Sequence, residues 1–420
     1  MKIDMMRKVD YFAGIPLCLV ATLFIRLASL FARQKSQHPQ KVLFIELSEM
    51  GSAILADPAM RKMQKATNAE LYFVIFKSNA ASLRLLNTVA ENNVFTIRED
   101  SFLNLAIDSL RFLFWVRRRG IDTVVDLELF SRYSALLTGL SGAANRIGFH
   151  AFYNEGLYRG AMLTHRVAYN PHLHIAKNFI ALVNAAMADK AELPFSKTMI
   201  DDSEIRLAQA PVNESAILAM RGRIRDEYPS YDEKRHRIVL INPNASDLLP
   251  QRRWMPEHFV TVMRNLLADS EDLLVLITGA PAEREAANLL QQQVQHPRCI
   301  NFAGCQKLEE LPALYQIAEL MLTNDSGPSH FSSVTSLHTF VLFGPETPLL
   351  YGSLGNSTPI YAGLACSPCV SAANHRKTPC SDNVCLQVIK PEVVLKQLRQ
   401  ALLEKNSPAI QATMINQVKQ

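Results

Sequence analysis

Short apolar runs alternate with stretches of helical spacing from residue 41 onward. The first half holds five such runs: KVLFIEL (41–47), ELYFVIF (70–76), NVFTI (93–97), DTVVDL (122–127) and NRIGF (145–149). The second half holds five more: RIVLIN (237–242), DLLVLIT (272–278), CINF (299–302), ELMLTN (319–324) and HTFVLFG (338–344). Because strands that alternate with helices form βαβ units, each set predicts a parallel sheet covered by helices.

A polar segment rich in Glu and Arg separates the two sets of strands. We interpret residues 191–236 as a connection between an N-terminal Rossmann-like domain, 37–190, and a C-terminal one, 237–405. The predicted fold class is therefore α/β, with two doubly wound domains that face a cleft and bind ligands at the carboxyl ends of their strands. The last residues, 406–420, are predicted to form a polar tail.

An apolar segment precedes the first predicted strand. The run YFAGIPLCLVATLFI (11–25) carries no charge, and LASLFA follows Arg26. Fifteen residues are short for a spanning helix, which needs roughly 20, and Pro16 would bend a straight span. No small-residue cleavage site marks a signal peptide. We predict that residues 1–36 attach the chain to a membrane as a helix or hairpin that dips into one leaflet, with a true span as the alternative.

Charge and cysteine content narrow the possible partners. The formal net charge is +5 over 420 residues, which suits an anionic membrane surface or a phosphate ligand, but equally a solvated, slightly basic surface. No dense basic stripe is visible, so nucleic acid is not an expected partner. The seven cysteines are unevenly spaced, which favours a reducing compartment over a secreted disulfide scaffold.

The motif TNDSGPSHF (323–331) follows an apolar strand directly and contains Asp325, Ser326, Gly327 and His330. Gly327 allows close backbone approach, and the following proline suits the first turn of a helix. The start of such a helix offers N–H groups to an anion, so we expect a diphosphate there. An ordinary N-cap with a hydrogen-bonded histidine is the alternative.

Three further loops follow strands of the second set. INPNAS (241–246) carries Asn242 and Ser246, as a phosphate-binding loop would. LPQRRW (249–254) places Arg252 and Arg253 beside it, and arginine binds phosphate oxygens bidentately. ITGAPAERE (277–285) supplies Glu283, which could accept hydrogen bonds from a ribose or a base.

The series INPNAS, RRW, TGAP, NDSGPSH and LFGPETP resembles glycosyltransferase family 9, whose best-known members are the heptosyltransferases of lipopolysaccharide core synthesis. LFIELSEMGSAILADPAMR (43–61) looks like the opening strand, glycine loop and helix of that family. The resemblance runs from residue 41 to about residue 405. It implies a GT-B fold, a nucleotide-sugar donor with an ADP-sugar favoured, inversion at the anomeric carbon and no catalytic cofactor or metal.

The same resemblance assigns roles in the second domain. It implies that Asp325, Gly327 and His330 lie at the donor and that Glu283 lies near the nucleoside. It puts Arg252 where the family usually has a phosphate-binding lysine, which keeps the charge but changes the geometry.

One position departs from the family. After the glycine of the first loop the family usually has an aspartate thought to act as general base, and here that position is Ser52. Since an unassisted serine does not accept a proton near neutral pH, another carboxylate is expected to serve. The candidates are Glu128 and Glu49, with Glu128 preferred. The alternative is a chain that binds a donor without catalysis.

Two features of the sequence concern other ligands. Residues 128–178 mix aromatic side chains with cations that suit an anionic glycolipid: Arg132, Arg159, His165, Arg166, His172, His174 and Lys177. Four cysteines have the spacing C-x2-C-x10-C-x4-C: Cys366, Cys369, Cys380 and Cys385. Four thiolates can hold a structural Zn or Fe, and some relatives of the family carry a similar cysteine-bound iron; free or disulfide-linked thiols are the alternative.

These observations predict an inverting glycosyltransferase that builds a cell-surface glycan, with heptose as the family's commonest sugar and a glycolipid or polysaccharide acceptor. We expect it at the cytoplasmic face of the inner (plasma) membrane, attached through its N-terminal segment. The alternatives are a non-catalytic nucleotide-sugar-binding relative or scaffold and a protein heptosyltransferase.

Overall fold

The structure, a computed structural model, describes residues 3–31, 38–152, 157–190, 192–372 and 374–405. The chain divides into two compact units, Met1–Ala208 and Gln209–Gln420. The division falls inside the segment predicted as a connection, 191–236. The predicted tail, 406–420, and the end of the predicted membrane segment, 32–36, lie outside the described residues.

The first unit contains a six-stranded sheet in the order β3-β2-β1-β4-β5-β6, and every neighbouring pair is parallel. Its helices and strands are α1 (Ile3–Phe12), α2 (Gly14–Phe31), β1 (Lys41–Ile45), α3 (Met50–Leu55), α4 (Asp57–Thr67), β2 (Glu70–Phe76), β3 (Val94–Ile97), α5 (Phe102–Arg119), β4 (Thr123–Asp126), α6 (Arg132–Leu140), β5 (Asn145–Phe149), β6 (His165–Val167) and α7 (Ile175–Met187). The strands are apolar throughout because helices cover the sheet: Phe112 and Val116 of α5 and Leu137 of α6 pack on β1 and β2.

The second unit repeats this plan with the order β12-β11-β10-β7-β8-β9, again parallel. Its helices and strands are α8 (Glu214–Glu227), β7 (Arg237–Asn242), α9 (Pro256–Asp269), β8 (Leu273–Ile277), α10 (Arg284–Val294), β9 (Cys299–Asn301), α11 (Leu311–Ile317), β10 (Ala318–Asn324), α12 (Gly327–Ser332), β11 (His338–Phe343), α13 (Pro348–Tyr351), β12 (Ser357–Tyr361), α14 (Val384–Gln387) and α15 (Pro391–Lys405). Two strands at sheet edges, β6 and β12, were not predicted, because HRV and STPIY are short and lack an apolar run.

Helices α1 and α2 form a bent pair that packs on α6 of the first unit. The Asp10 carboxylate caps α6, since its Oδ1 accepts hydrogen bonds from the backbone N–H groups of Arg132 (3.0 Å) and Tyr133 (2.8 Å). Thr22 Oγ1 accepts a hydrogen bond of 2.9 Å from the Ala161 N–H. Gly14 is required at the contact, because a Cβ there would lie 2.8 Å from Cβ of Arg132.

The outward side of this helix pair is apolar. Large exposed side chains lie along it: Phe12, Leu17, Val20, Leu23, Phe24, Leu27 and Leu30. Among the described helices, none by itself has the length and apolar character needed to cross a membrane, but Met5–Phe12 and Gly14–Leu30, bent by 42°, meet those requirements together. The bend separates the pair near Ala13, three residues before the proline that was expected to disturb a straight helix.

Candidate active site

The switch point of the second sheet lies between β7 and β10, where the chain order reverses. Ligands of doubly wound sheets bind at the carboxyl ends of the strands at such a point. Asn324, the last residue of β10, joins the two loops there: its Nδ2 donates to the Pro243 carbonyl (2.8 Å) and its Oδ1 accepts from the Trp254 N–H (3.1 Å). This buried asparagine was not among the predicted site residues, although it precedes Asp325 in the quoted motif.

A buried charged cluster lies at this point. Arg252 Nε is 3.7 Å from Asp325 Oδ2, and Arg252 Nη2 is 3.3 Å from Glu346 Oε1. The side chains of Asp325 and Glu346 are 5% and 2% exposed, so both carboxylates are shielded from water by protein. The structure thus brings together two predicted residues, Arg252 and Asp325, and adds Glu346, whose only sequence signal is its place in LFGPETP.

His330 lies in the helix that directly follows Asp325. Helix α12 begins at Gly327, and His330 is buried in the first turn of this helix, five residues after Asp325. A Cβ on Gly327 would lie 3.1 Å from the Phe331 ring, so glycine at this position leaves room for that ring against the start of the helix. Ser326 Oγ donates to the Asn324 carbonyl (3.2 Å), which holds the turn against the end of β10.

The other predicted donor residues make hydrogen bonds within their own loops. Asn242 Nδ2 donates to the carbonyl and the hydroxyl of Thr278, both at 3.2 Å, which joins the ends of β7 and β8. Ser246 Oγ accepts from the Leu248 N–H (3.2 Å) in a turn. The structure places both at the switch-point edge and shows them supporting the loops.

Glu283 lies at the end of β8 and is half-buried. Its Oε2 accepts a hydrogen bond of 2.6 Å from the Ala280 N–H, which caps the short helical turn Pro281–Glu283. Burial raises the pKa of the Glu283 carboxyl, and the Ala280 N–H opposes that rise. Gly279 makes room here, since a Cβ would lie 2.8 Å from Asn244 Nδ2.

In the first unit, Glu128 holds the loop that follows β1. Its Oε1 accepts hydrogen bonds from the Leu47 N–H (2.8 Å), the Ser48 N–H (3.0 Å) and the Ser48 hydroxyl (2.9 Å). Burial raises the pKa of Glu128, whereas the Leu47 N–H lowers it. Because this carboxylate oxygen accepts three hydrogen bonds, its main role in the structure is to hold that loop.

Glu49 and Ser52 lie on the same loop and meet directly. The Ser52 hydroxyl donates to Glu49 Oε2 over 3.2 Å, across the first turn of α3. Glu49 is half-buried, and Ser52 is buried. A carboxylate oxygen therefore lies one hydrogen bond away from the side chain at the position where the resemblance expected an aspartate.

Two of the cations predicted to meet an anionic acceptor are buried. Arg159 pairs with Asp126, and its Nη1 donates to the Phe149 carbonyl (2.9 Å). Arg132 is 1% exposed and pairs with Asp10. The expectation that these two arginines face an acceptor is therefore wrong, because both are used inside the unit; Arg166 and His172 are exposed.

The remaining predicted acceptor cations make local contacts. His174 Nδ1 accepts from the Ala176 N–H (3.2 Å) at the start of α7. His165 Nδ1 lies 2.9 Å from Thr164 Oγ1. Lys177 Nζ lies 2.7 Å from Asp202 Oδ1. Such contacts are those of helix caps and surface pairs.

The cysteine loop, residues 366–385, packs beside the donor loops of the second unit. Cys369 N–H donates to the Pro345 carbonyl (3.0 Å), and Gln251 Nε2 donates to the Cys380 carbonyl (2.9 Å). Burial raises the pKa of the Cys385 thiol to about 11, and nearby thiolates of the loop add to that rise. Over the described part of the chain, no three His, Cys, Asp or Glu side chains lie close enough to hold a metal ion. The loop as described does not fit a tetrahedral Zn or Fe site.

The family model for glycosyltransferase family 9 (heptosyltransferase) matches residues 111–378, more than half of the chain. The chain belongs to this family. The match includes the loops around Arg252 and Asp325 and the motif with Glu346, so the buried cluster lies within the part that the family shares.

Known proteins agree with this membership. Lipooligosaccharide heptosyltransferase 2 of Campylobacter jejuni is 31% identical over 175 residues, which are 41% of this chain and 52% of the relative. Lipopolysaccharide heptosyltransferase 2 of Salmonella typhimurium is 28% identical over 218 residues, 51% of this chain and 58% of the relative. The matched region thus spans little more than half the length of these relatives.

The fold is also that of a solved family member. The structure of the E. coli ADP-heptose lps heptosyltransferase II is similar with a TM-score of 0.67 and 19% identity, over 88% of this chain and all of the other. This likeness confirms the predicted α/β fold of the GT-B type, built from two units with parallel sheets.

Proposed function

We propose that the chain is an inverting glycosyltransferase that moves a sugar from a nucleotide-sugar donor onto a lipopolysaccharide- or glycolipid-type acceptor. The observation that carries the proposal is the buried cluster of Arg252, Asp325 and Glu346 at the switch point of the second unit. The two buried carboxylates hold Arg252, whose side chain stays 18% exposed and is therefore accessible to a ligand. A donor diphosphate is the anionic ligand that the family membership favours.

The donor is proposed to be an ADP-sugar, with heptose as the sugar. The support is indirect: the C. jejuni and S. typhimurium relatives are named heptosyltransferases, and the solved E. coli relative is named for ADP-heptose. Arg252 would bind the diphosphate, while Asp325 and His330 would bind neighbouring polar groups of the donor. Asn242, Ser246, Ser326 and Glu283 would shape these loops.

The proposed reaction is a direct displacement. In the first unit, Glu49 would accept the proton of the acceptor hydroxyl, whose oxygen forms the new bond to the anomeric carbon. The bond from that carbon to the diphosphate oxygen breaks, and the nucleoside diphosphate leaves with the electron pair. Arg252 would stabilise the developing charge on the leaving group. Glu128 would hold the loop that carries Glu49.

Binding and transfer measured on one panel test this proposal. We expect the chain to bind ADP-heptose more tightly than UDP-hexoses in calorimetry, and to transfer the heptose to a lipopolysaccharide-core acceptor. Asp325→Ala should weaken donor binding by at least about tenfold, since it removes the carboxylate that is proposed to bind polar groups of the donor and that holds Arg252 in position. Asp226→Ala, an exposed aspartate on α8, is the matched control and should change nothing.

The panel also separates the alternatives. Donor binding without transfer would indicate the non-catalytic relative that Ser52 suggests. Transfer to a polypeptide in place of the glycolipid would indicate a protein heptosyltransferase. No binding of any nucleotide sugar by the folded chain would contradict the proposal.

We further propose that α1 and α2 attach the enzyme to the cytoplasmic face of the inner membrane, lying in one leaflet. The inward side of α2 is used in packing, through Cys18, Ala21 and Thr22. The outward side carries the exposed apolar stripe Val20, Phe24 and Leu27, at helical spacing. A helix buried on one side and apolar on the other suits an interfacial position.

Vesicle flotation checks this attachment. Val20→Ser, Phe24→Ser and Leu27→Ser combined should lower the affinity for anionic vesicles by at least about 100-fold, because each buried side chain of this size contributes roughly 1.5–3 kcal/mol. The control is a triple serine variant on the second unit, at Leu289, Leu349 and Leu403, which are also exposed. Equal flotation of both variants would exclude α2 as the anchor.

The structural Zn or Fe at Cys366, Cys369, Cys380 and Cys385 stays a prediction of the sequence. Its support is that the four thiols share one loop, in which the other three thiolates add to the rise that burial causes in the pKa of Cys385. The described side chains would have to draw closer for four sulfurs to share one ion.

A further inference from the structure

Arg376, on the cysteine loop, reaches the buried cluster at the switch point. Its Nε lies 3.6 Å from Glu346 Oε1, the same oxygen that lies 3.3 Å from Arg252 Nη2. Two guanidinium groups from distant parts of the unit therefore converge on one buried carboxylate oxygen. Nothing in the sequence distinguished Arg376 from the other cations of its loop.

The Arg376 side chain is held in place from two sides. Its guanidinium carbon lies 4.6 Å from the centroid of the Tyr351 ring, a cation–π contact, and the ring is buried. Its backbone N–H donates to the Ser371 carbonyl (2.9 Å), and its φ of +53° belongs to a tight left-handed turn. The guanidinium is thus oriented in advance, which lowers the entropy lost when it binds a ligand.

The two guanidinium groups of this cluster can meet one anion together. Arg252 and Arg376 share Glu346, and Arg252 also lies 3.7 Å from Asp325. At these distances the pairs are longer than well-formed charge-assisted hydrogen bonds, which measure about 2.7–2.9 Å. Each guanidinium group carries five N–H donors in a planar fork, so both arginines can bind the oxygens of a phosphate group in pairs.

We propose that Arg376 is a second donor-binding residue, which contacts the diphosphate of the nucleotide donor together with Arg252. The cysteine loop would then supply part of the donor site in addition to covering it. This inference rests on the proposed function, because it takes a nucleoside diphosphate as the ligand.

A purely structural role for Arg376 has a different signature. If the arginine only fastened the cysteine loop to Glu346, its loss would loosen the loop and weaken every ligand of the site to a similar extent. A phosphate contact instead affects each ligand according to the phosphates it carries. The number of phosphates in the probe therefore separates the two roles.

Calorimetry with ADP, AMP and adenosine on the full chain makes this test. Arg376→Gln should raise the Kd for ADP by about tenfold to 100-fold, the range for loss of a charge-assisted hydrogen-bonded pair, and leave the Kd for adenosine within about twofold. Arg376→Lys should recover only part of the loss, because an ammonium group cannot bind bidentately. Lys377→Ala is the matched control, since it removes an exposed charge from the next position.

Each result decides the proposal. An unchanged Kd for ADP in Arg376→Gln would overturn it, as would an equal loss for ADP and adenosine or an equal loss in Lys377→Ala. Those results leave the donor site itself in place, provided that the unaltered chain binds ADP. Failure of the unaltered chain to bind ADP would overturn the proposed function, and this inference with it.

Discussion

Glu49→Gln is expected to lower kcat by about 100- to 10,000-fold, the usual contribution of a positioned general base. Glutamine keeps the size of the side chain and can still accept a hydrogen bond from the Ser52 hydroxyl, which lies 3.2 Å from Glu49 Oε2. It cannot take the proton of an acceptor. Steady-state transfer assays should show the loss in kcat, while calorimetry should show an unchanged Kd for ADP, because the donor loops are on the second unit.

Ser52 offers a rescue that a structural role of Glu49 would not allow. Ser52→Asp restores a carboxylate where the family usually has one. In the Glu49→Gln background it should raise kcat at least about tenfold above the kcat of Glu49→Gln alone, which is part of the range expected for a general base. Glu91→Gln, an exposed glutamate of the same unit, is the neutral control.

Glu128 is the competing base. Because its Oε1 accepts three hydrogen bonds, Glu128→Gln keeps an acceptor for the Leu47 and Ser48 N–H groups and should lower kcat by less than about tenfold. If turnover survives in Glu49→Gln but not in Glu128→Gln, the base is Glu128 and the assignment to Glu49 is wrong.

Arg159→Met is expected to have the largest effect on stability, a loss of about 3–5 kcal/mol in the free energy of unfolding. The Asp126 carboxylate is fully buried and pairs with Arg159. Without the arginine, Asp126 keeps only the Ser134 hydroxyl (3.0 Å) and the Glu128 N–H (3.2 Å) as hydrogen-bond donors among its known contacts. A buried charge without its counter-ion destabilises the folded state.

The loss should depend on pH. Burial raises the pKa of Asp126 in the folded protein, with Arg159 opposing the rise, so removal of Arg159 raises it further. An unfolded aspartate ionises near pH 3.9. Since the folded pKa is then higher in the variant than in the parent, the pH-dependent part of the loss is small below the parent's folded pKa, grows between the two folded pKa values, and is constant above the higher one. Urea unfolding at pH 4 and pH 7 should therefore show the larger loss at pH 7.

An exposed ion pair is the control for this variant. Arg399 and Asp269 form two hydrogen bonds, at 2.7 and 2.9 Å, on the surface of the second unit. Arg399→Met should cost at most about 1 kcal/mol, because water and salt screen such pairs. Similar losses in the two variants would contradict the assigned role of burial at Asp126.

Buried strands could be predicted from the sequence, whereas two strands at the sheet edges could not. LLVLI of β8 is buried at every position, and such a continuous apolar run indicates a strand covered on both faces. HRV of β6 and STPIY of β12 pair on one side only, at the sheet edges, and are too short or too polar to be distinguished from loops. Strand order, including the switch point, depends on pairing between segments far apart in the chain, and the right-handed crossover of βαβ units only limits the possible orders.

Some residues of the candidate site were likewise predicted from the sequence, and others were not. Asp325, His330 and Arg252 were predicted because they sit in motifs beside strand ends, where local spacing indicates function. Glu346 and Arg376 were missed, since their meeting with Arg252 joins positions about 30 to 120 residues apart along the chain. Arg159 was predicted to face an acceptor but is buried against Asp126.

The amino-acid sequence by itself determined the two parallel sheets, the family and the loops that carry the donor residues, because hydrophobic period and short motifs are local properties. Only the tertiary structure decided which charges are paired, that Glu128 holds a loop whereas Glu49 meets Ser52, and that Arg376 joins Arg252. The physical reason is that burial and ion pairing depend on contacts between distant segments. The identity of a charged residue in the sequence does not indicate which residue it pairs with in the folded chain.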